Sequence, residues 1–272
     1  MPEGDTLFRA ARTLDRALAG KVVTRFETAL AHLARTDDDM PLAGRLVERV
    51  DAVGKWLRIY FSGDLILLTH MRMNGSWHIY REGEPWQRGR SHMRTAIHTA
   101  DFVAVAFDVP IAEFHTAASL ARHRTVPQLG PNVLGAQFDE AEAAARIPSR
   151  PDLEIGVAVM RQHLVAGMGN IFKSEVCFAA RVNPFRKVSD LTDEELRALM
   201  AHARRLMFAN ITETSGPGIV TYRGLNRGGA ADNCWVYHRR GEPCRRCRTP
   251  IESRKQGEEA RTSYWCPRCQ PV

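Results

Sequence analysis

Residues 244–269 read CRRCRTPIESRKQGEEARTSYWCPRC and contain two pairs of cysteines, Cys244/Cys247 and Cys266/Cys269, each with two residues between its members. This spacing lets both thiolates of a pair turn onto one metal ion, and two pairs complete a tetrahedron with no open position. Disulfides and a chance pattern are the alternative interpretations. The start of the chain, MPEGDTLFRA, lacks the apolar core of a secretory signal peptide, so an oxidising compartment is not expected. The pattern therefore predicts one structural zinc ion held by four cysteines.

The segment between the two cysteine pairs predicts a β-hairpin. Thr249–Ser253 and Arg261–Trp265 alternate loosely in polarity and are expected to pair as strands, with a turn over 255–260. A module this small cannot build a sufficient hydrophobic core, so the metal has to supply its stability. The remaining cysteines, Cys177 and Cys234, are predicted to be small buried apolar residues.

Positive charge is concentrated in this module. The chain carries a formal charge of +7, and the residues from Cys234 onward contain nine Arg/Lys and four Glu, which places +5 there and +2 in the rest. Such an excess favours a polyanionic partner, with nucleic acid as the expected one, and solubility alone is the alternative. A hydrophobic content of 44% excludes a disordered chain. No apolar run approaches the roughly 18 residues of a membrane-spanning helix.

The N-terminal half predicts one helix followed by many short strands. Asp5–Leu18 carries apolar residues at helical spacing before Gly20, and Thr36–Pro41 is predicted to be a loop. Short strands at high density, separated by Gly and Asn-Gly turns, indicate a β-sandwich or barrel. The predicted strands are Arg45–Val53, Trp56–Phe61, Leu65–Met71, Ser76–Tyr80, Thr95–Thr99, Phe102–Phe107 and Ala112–His115.

The C-terminal half predicts helices. Thr125–Asp152 is rich in Pro and Gly, which indicates an inter-domain linker with one short helix, Asp139–Arg146. The last long helix opens with a capping box, Thr192-x-x-Glu195. Ser215–Asn233 is Gly-rich and is predicted to be a mobile loop. The predicted helices are Leu153–Val165, Asn170–Arg181 and Asp193–Ile211.

The first three residues, Met1-Pro2-Glu3, offer a candidate nucleophile and a candidate proton carrier. If Met1 is removed, Pro2 presents a secondary α-amine, and an α-amino group with an ordinary pKa of about 7.7–8.0 is partly neutral at pH 7. A helix that starts at Asp5 places positive dipole charge nearby, which favours the neutral amine. A secondary amine that attacks a sugar aldehyde forms an iminium, and Glu3 could move the protons. A start of Met-Pro-Glu without catalytic meaning is the alternative.

The segment Arg72-Met73-Asn74-Gly75 is a candidate DNA-intercalating tip. Asn-Gly is a tight-turn dipeptide, so Arg72 and Met73 are expected near the tip of a hairpin. An apolar side chain beside a cation at such a tip can enter a base stack. A methionine folded back onto the sheet is the alternative. Lys55, in Gly54-Lys55-Trp56, is by itself a generic surface lysine.

The segment Gly167-Met168-Gly169-Asn170 is a candidate phosphate site. Glycines end one predicted helix and Asn170 is expected to cap the next. A helix, a tight turn and a second helix expose backbone N–H groups that bind anions, and Asn170 could add a side-chain donor to a phosphate. Helix capping alone is the alternative.

In their order and spacing, these segments resemble one family, the bacterial formamidopyrimidine-DNA glycosylase and endonuclease VIII family. The resemblance spans nearly the whole chain. The segments that carry it are PEGDT (2–6), GKW (54–56), LTHMRMNGSW (68–77), LGPNVL (129–134), AGMGNIFKSEV (166–176), VYHRRGEPCRRC (236–247) and RTSYWCPRCQ (261–270).

The resemblance implies an α+β multi-domain fold. Its expected parts are an N-terminal β-sandwich catalytic domain with a leading helix (1–125), a linker (126–152), a helix–two-turns–helix DNA-binding domain (153–233) and a C-terminal zinc β-hairpin finger (234–272). It also implies that DNA binds in the cleft between the domains.

The resemblance implies roles for individual residues. Pro2 resembles the nucleophile that forms a Schiff base at C1′, and Glu3 resembles the general acid/base that helps to open the sugar. Lys55 matches the lysine that contacts the phosphate of the lesion. Asn170 and Arg261 match phosphate-binding residues, and Arg72, Met73 and Asn74 lie where the family places residues that fill the void left by the flipped nucleotide.

The resemblance implies a bifunctional DNA glycosylase and AP lyase of base excision repair that cleaves the strand by β,δ-elimination. Two features favour the endonuclease VIII branch and oxidised pyrimidines: PEG where the formamidopyrimidine branch has PEL, and FDVPIAEF (107–114) where that branch has an Arg and a Phe. The loop Ser215–Asn233 also does not resemble the loop that caps 8-oxoguanine. Excision of 8-oxoguanine or formamidopyrimidine, and a zinc-finger DNA-binding protein without catalytic activity, are the alternatives.

The expected partner is damaged DNA, as duplex, abasic-site or single-stranded DNA, with no membrane partner. The resemblance implies no redox cofactor and no catalytic metal. The protein is expected to be a monomer in the bacterial cytoplasm, associated with the nucleoid.

Overall fold

The structure, a computed structural model, describes residues 2–212 and 234–272. These residues form two compact units. The first contains residue 2 and residues 6–128, and the second contains residues 3–5, 129–212 and 234–272. The predicted loop Ser215–Asn233 lies outside the described residues, as does Met1.

The first unit contains two antiparallel four-stranded sheets, with strand orders β2-β3-β4-β8 and β1-β6-β7-β5. The predicted β-sandwich with a leading helix is therefore confirmed. The elements are α1 (Gly4–Leu18), β1 (Arg25–Thr28), α2 (Ala31–Asp39), β2 (Val47–Val53), β3 (Trp56–Phe61), β4 (Leu65–His70), β5 (Ser76–Arg81), β6 (Met93–His98), β7 (Phe102–Phe107), β8 (Ile111–His115) and α3 (Ala117–Leu120).

One hydrophobic core joins both sheets and α1. Leu7 and Leu14 lie two helical turns apart on α1, so both face the same side, and both are buried with Ile59, Trp77 and Ile97 from the sheets. In β4 all residues but the last are buried, because the strand lies between β3 and β8 and both of its faces are covered.

Two local predictions in this unit are wrong. The predicted loop Thr36–Pro41 lies mostly in α2, whose Leu33 is fully buried, so tertiary packing outweighs the low helix propensity of Thr36 and the three following aspartates. The predicted hairpin tip at Arg72–Asn74 is a connection between sheets, because β4 pairs with β3 and β8, whereas β5 pairs with β7. The tight turn is correct, but it joins two layers.

The second unit contains the remaining helices and a two-stranded sheet. They are α4 (Glu140–Arg146), α5 (Ile155–Ala158), α6 (Asn170–Ala179), α7 (Asp193–Thr212), β9 (Glu252–Gln256) and β10 (Arg261–Trp265). The capping box of α7 is confirmed: the Glu195 N–H donates to Thr192 Oγ1 at 3.2 Å, and the Thr192 N–H donates to Glu195 Oε2 at 2.9 Å.

The predicted helix Leu153–Val165 is wrong, because only Ile155–Ala158 is α-helical. The backbone beyond it pairs with a distant segment: the Gly130 N–H donates to the Gln162 carbonyl at 2.9 Å, and the Ala166 N–H donates to the Pro131 carbonyl at 3.0 Å. These long-range hydrogen bonds replace the i→i−4 pattern that apolar periodicity alone predicts.

The first strand of the predicted zinc hairpin is shifted. β9 begins at Glu252 and pairs through Gln256 with Arg261, so the turn covers 257–260. Thr249 belongs to the cysteine knuckle instead, where its carbonyl accepts a hydrogen bond from the Cys244 N–H at 2.8 Å.

Within residues 2–212 and 234–272, no helix has the length and apolar character needed to span a membrane.

Candidate active site and zinc centre

The N-terminus of α6 holds the carboxylate of Glu3. The carboxylate accepts hydrogen bonds from the backbone N–H groups of Gly169 at 3.0 Å, Ile171 at 2.8 Å and Phe172 at 3.2 Å. Glu3 is 2% exposed. A helix leaves these N–H groups unpaired in its first turn, and its dipole favours negative charge there. In the structure, the anion that these donors bind is Glu3 itself, at the place where the sequence predicted a site for phosphate.

Glycines allow this close approach. A Cβ on Gly169 would lie 2.4 Å from Cδ of Glu3, and a Cβ on Gly4 would lie 2.8 Å from Cα of Gly167. The Gly4 N–H donates to the Gly167 carbonyl at 2.8 Å, and Gly167 has a φ of +106°, a conformation that favours glycine. The glycine-rich turn therefore brings the start of the chain against α6.

Pro2 is half-buried and precedes Glu3 directly in the chain. The second unit thus positions the carboxylate that lies one peptide bond from the candidate nucleophile.

Asn170 is the first residue of α6 and not its N-cap, which is Gly169 in an extended conformation. The predicted capping role of Asn170 is therefore wrong, because Glu3 occupies the donors that a capping side chain would use. Nδ2 of Asn170 donates to the Thr262 carbonyl at 3.0 Å, beside Arg261 on β10. Asn170 and Arg261 are thus brought to one region, and Nε of Arg261 donates to Glu259 at 3.0 Å.

Sequence reasoning missed Tyr237 and Lys173. Burial raises the pKa of Tyr237 to about 12, while a hydrogen bond with Asn170 acts in the opposite direction, so the phenol stays neutral beside this site. Lys173 is fully buried on α6, and burial lowers the pKa of its amine to about 8. The position of Lys173 directly after the apolar residues Ile171 and Phe172 was the available signal for its burial, and Tyr237 carried none.

In the first unit, Lys55 lies in the two-residue turn between β2 and β3, after Gly54 with a φ of +58°. The His70 ring packs edge-on against Trp56, with ring centroids 4.8 Å apart. Burial lowers the pKa of His70 to about 4, and the positive charges of Arg72 and Lys55 add to the effect. The structure therefore places Lys55 and Arg72 around one neutral histidine.

Arg72, Met73 and Asn74 are all exposed, and Met73 is 56% exposed. Arg72 has a φ of +49°, and its N–H donates to Nδ1 of His70 at 3.1 Å. A Cβ on Gly75 would lie 2.6 Å from the Met71 carbonyl oxygen, so the turn requires glycine there. The alternative of a methionine folded back onto the sheet is excluded.

The low pKa of His70 predicts a loss of stability in acid. As pH falls below 6.5, the unfolded histidine binds a proton while the folded one does so only near pH 4, so the free energy of unfolding decreases. By pH 4.5 this linkage removes about 2–3 kcal/mol. Urea unfolding measures the decrease in the free energy of unfolding between pH 7 and pH 4.5. We expect this decrease to be smaller in His70→Gln than in the wild type, by about 2–3 kcal/mol. Equal losses in both proteins would contradict the prediction.

The four cysteines of the predicted zinc site are brought together. Their sulfur atoms all lie within 4.8 Å of one another, with 4.0 Å between Cys244 and Cys269 and 3.4 Å between Cys247 and Cys266. A tetrahedral zinc with Zn–S bonds of about 2.3 Å separates its sulfurs by about 3.8 Å. The donor set fits one structural zinc, as the sequence predicted. Cys177 and Cys234 are buried elsewhere.

Glu113, His115 and His123 form a second group of ligand-type side chains. Nδ1 of His123 accepts hydrogen bonds from the N–H groups of Thr125 at 3.2 Å and Val126 at 3.1 Å. A neutral imidazole then carries its proton on Nε2, which lies 3.5 Å from Glu113. A protonated nitrogen cannot ligate a metal, so this group is held by hydrogen bonds.

Glu175 forms a second carboxylate cradle on α6. It is 8% exposed and accepts hydrogen bonds from the N–H groups of Trp235 at 2.8 Å, Val236 at 3.0 Å and Tyr237 at 2.9 Å. Burial raises its pKa, and these donors oppose that effect. The cradle ties α6 to the segment that leads into the zinc module.

Removing this carboxylate should destabilise the second unit. Glu175→Ala leaves three backbone donors without their acceptor, and we expect the free energy of unfolding to fall by about 2–4 kcal/mol. Urea unfolding followed by circular dichroism measures the loss. A change below about 0.5 kcal/mol, the range of ordinary surface substitutions, would show that the cradle contributes little.

Three family models match this chain. They are described as the formamidopyrimidine-DNA glycosylase N-terminal domain over residues 1–110, the formamidopyrimidine-DNA glycosylase H2TH domain over 129–221, and a zinc finger found in FPG and IleRS over 241–272. The second match confirms the predicted helix–two-turns–helix fold, and the third agrees with the four-cysteine site.

Curated relatives match over the same length. The probable endonuclease 8 2 of Streptomyces coelicolor is 36% identical over 277 residues, which cover 99% of this chain and 94% of that protein. The DNA-(apurinic or apyrimidinic site) lyase Nei2 of Mycolicibacterium smegmatis is 35% identical, with 99% of each chain covered.

Solved structures share the fold. MutM in complex with DNA containing carbocyclic 8-oxo-G superposes with a TM-score of 0.83 at 21% identity, covering 100% of both chains. The Lactococcus lactis formamidopyrimidine-DNA glycosylase, non-covalently bound to DNA with an AP site, gives a TM-score of 0.83 at 22% identity, covering 99% of this chain and 100% of that one. The family models and the relatives establish that the chain belongs to the formamidopyrimidine-DNA glycosylase and endonuclease VIII family of base-excision repair enzymes.

Proposed function

We propose that this protein is a bifunctional DNA glycosylase and AP lyase that uses the secondary amine of Pro2, once Met1 is removed, as its nucleophile. The observation that carries the proposal is the carboxylate of Glu3, buried on the first turn of α6 and one peptide bond from Pro2. An amine and a carboxylate in this order supply the nucleophile and the proton carrier that base excision requires.

The reaction begins when Glu3 takes one proton from the protonated Pro2 amine, and the freed nitrogen attacks C1′ of the damaged nucleotide. The bond from C1′ to the base breaks, and the base leaves with the bonding electrons and takes up the second proton of the Pro2 nitrogen. Glu3 donates its proton to O4′, so the sugar ring opens and an iminium forms between Pro2 and C1′. Loss of a proton from C2′ expels the 3′ phosphate. A second elimination expels the 5′ phosphate, and hydrolysis frees the amine. The zinc ion maintains the finger and takes no part in these steps, because a site of four cysteines has no open position.

Cations and amide groups of this chain hold the DNA backbone. Asn170 and Arg261, which lie together in the second unit, bind phosphates, and Lys55 in the first unit binds the phosphate of the lesion. The damaged nucleotide has to flip out of the helix, because C1′ is not reachable inside a stacked duplex. The exposed side chains of Arg72, Met73 and Asn74 then fill the space that it leaves.

Oxidised pyrimidines are the proposed substrates. The relatives named endonuclease 8 and the sequence features PEG and FDVPIAEF support this choice over 8-oxoguanine. The DNA partner is proposed to be damaged DNA that carries an oxidised base or an abasic site. The enzyme acts as a monomer in the cytoplasm, associated with the nucleoid, and light scattering of the purified protein measures its mass against 30.6 kDa.

The proposal is tested by a reductive trap. Purified protein is mixed with borohydride and duplexes that carry thymine glycol, 5-hydroxycytosine, 8-oxoguanine or an abasic site, and the adduct is mapped by mass spectrometry. We expect a covalent adduct at the Pro2 nitrogen with the abasic site and both pyrimidine lesions. An adduct at another residue, or none in protein that lacks Met1 and contains zinc, would overturn the mechanism. An adduct with 8-oxoguanine alone would overturn the substrate assignment.

A further inference from the structure

Lys173 is a buried amine with no hydrogen-bond partner among the described residues. It lies in the first turn of α6, it is 0% exposed, and its Nζ donates no hydrogen bond within the part of the chain that the structure covers. Burying an unpaired ammonium is costly, and leucine or methionine would fill the same volume without that cost. Packing alone therefore does not explain why a lysine occupies this buried position.

The groups around Lys173 come from four elements. Cys177 lies one turn further along α6, Glu154 precedes α5, Arg261 begins β10, and Glu3 lies at the start of α6. Burial raises the pKa of the Cys177 thiol to about 12, so that group is neutral.

Two of these neighbours already have other partners. Glu154 accepts a hydrogen bond from Gln256 Nε2 at 2.8 Å, and Arg261 is paired with Glu259. Glu3 is the more deeply buried of the two carboxylates near Lys173, and Tyr237, whose pKa its charge helps to raise, is neutral. The charge of Lys173 therefore acts on Glu3 through a medium in which screening by water is weak.

We propose that Lys173 is a positioning residue whose ammonium charge, together with the three N–H groups of α6, holds Glu3 in its ionised form before DNA binds. This inference rests on the proposed function, in which Glu3 has to be ionised to accept the proton of Pro2. A carboxylate that is already protonated cannot take that proton. The more strongly Glu3 prefers its ionised form, the lower is the pH at which the enzyme remains active.

The direction of the pH dependence follows from the charges. The proposed mechanism starts from a protonated Pro2 and an ionised Glu3. Activity is therefore lost in acid, when Glu3 also becomes protonated, and in alkali, when Pro2 loses the proton that Glu3 passes to O4′. Lys173, with a pKa of about 8, is charged throughout the acid limb. Removing its charge makes Glu3 easier to protonate, so the midpoint of the acid limb moves to higher pH, by about one unit for a single buried charge.

The test compares Lys173→Met and Lys173→Gln, which remove the charge, with Lys173→Arg, which keeps it, and with Lys187→Met, which removes an exposed charge. Single-turnover excision of thymine glycol is measured from pH 4 to pH 9, with thermal unfolding of each variant. We expect the acid midpoint to rise by about one unit in the Met and Gln variants and to stay within about 0.3 unit in the Arg and Lys187 variants. The Met variant should melt at or above the wild-type temperature.

The outcomes separate two failures. If the wild type excises the base and is trapped at Pro2, but folded Met and Gln variants keep the wild-type acid midpoint, the role of Lys173 is refuted and the proposed function stands. If the wild type neither excises the base nor forms the Pro2 adduct, the proposed function fails and this inference fails with it.

Discussion

Glu3→Gln is expected to lower base excision by about 10²–10⁴-fold, because glutamine can accept hydrogen bonds from the first turn of α6 but can carry no proton from Pro2 to O4′. The change is measured as the single-turnover rate on a thymine glycol duplex at saturating enzyme. The borohydride adduct with a preformed abasic site should be lowered much less, since part of that sugar is already an open aldehyde. Comparing the two substrates therefore distinguishes a loss of proton transfer by Glu3 from a loss of nucleophilic attack by Pro2.

Glu175→Gln is the matched control. Both carboxylates are buried and each accepts three backbone N–H groups, those of Glu3 at the start of α6 and those of Glu175 from residues 235–237, but only Glu3 is adjacent to Pro2. The control should lose stability while its folded fraction excises the base at the wild-type rate. A similar loss of rate in both variants would mean that the effect of Glu3→Gln comes from weakened packing and not from proton transfer.

Removal of the zinc ion is expected to unfold the C-terminal module and to lower DNA affinity by at least about 100-fold. The two five-residue strands of the finger hold few buried apolar side chains, and its cluster of Ile251, Cys244 and Cys266 packs on Phe178 of α6 only while the cysteines are drawn together. Loss of the module also removes Arg261 and much of the positive charge of the chain.

The measurement uses Cys266→Ser beside Cys177→Ala, a cysteine outside the zinc site. Metal content is determined by mass spectrometry and DNA affinity by fluorescence anisotropy on an abasic duplex at fixed salt, because phosphate contacts depend on salt. We expect about one zinc per chain in the wild type and in Cys177→Ala, and none in Cys266→Ser. Folded wild-type protein with far less than one zinc per chain would refute the four-cysteine assignment.

The sequence predicts those features of the fold and the candidate site that depend on interactions between residues close together in the chain. The spacing of Cys244, Cys247, Cys266 and Cys269 predicted the zinc site, because two residues between ligands suffice to bring both to one ion. The strands Trp56–Phe61 and Phe102–Phe107 were predicted at their observed limits, since glycines and acidic turns bound them directly. The resemblance of short motifs to one family predicted the roles that we propose for Pro2, Glu3, Asn170 and Arg261.

What the sequence could not decide were the contacts between distant segments. The helix predicted over Leu153–Val165 is short because its backbone pairs with residues 130–131, and the turn after β4 joins two sheets because β5 pairs with β7. The anion at the first turn of α6 is Glu3, more than 160 residues away in the chain. Helix N-termini attract any anion, so only the tertiary structure determines that this protein places its own carboxylate there, with Lys173 buried beside it.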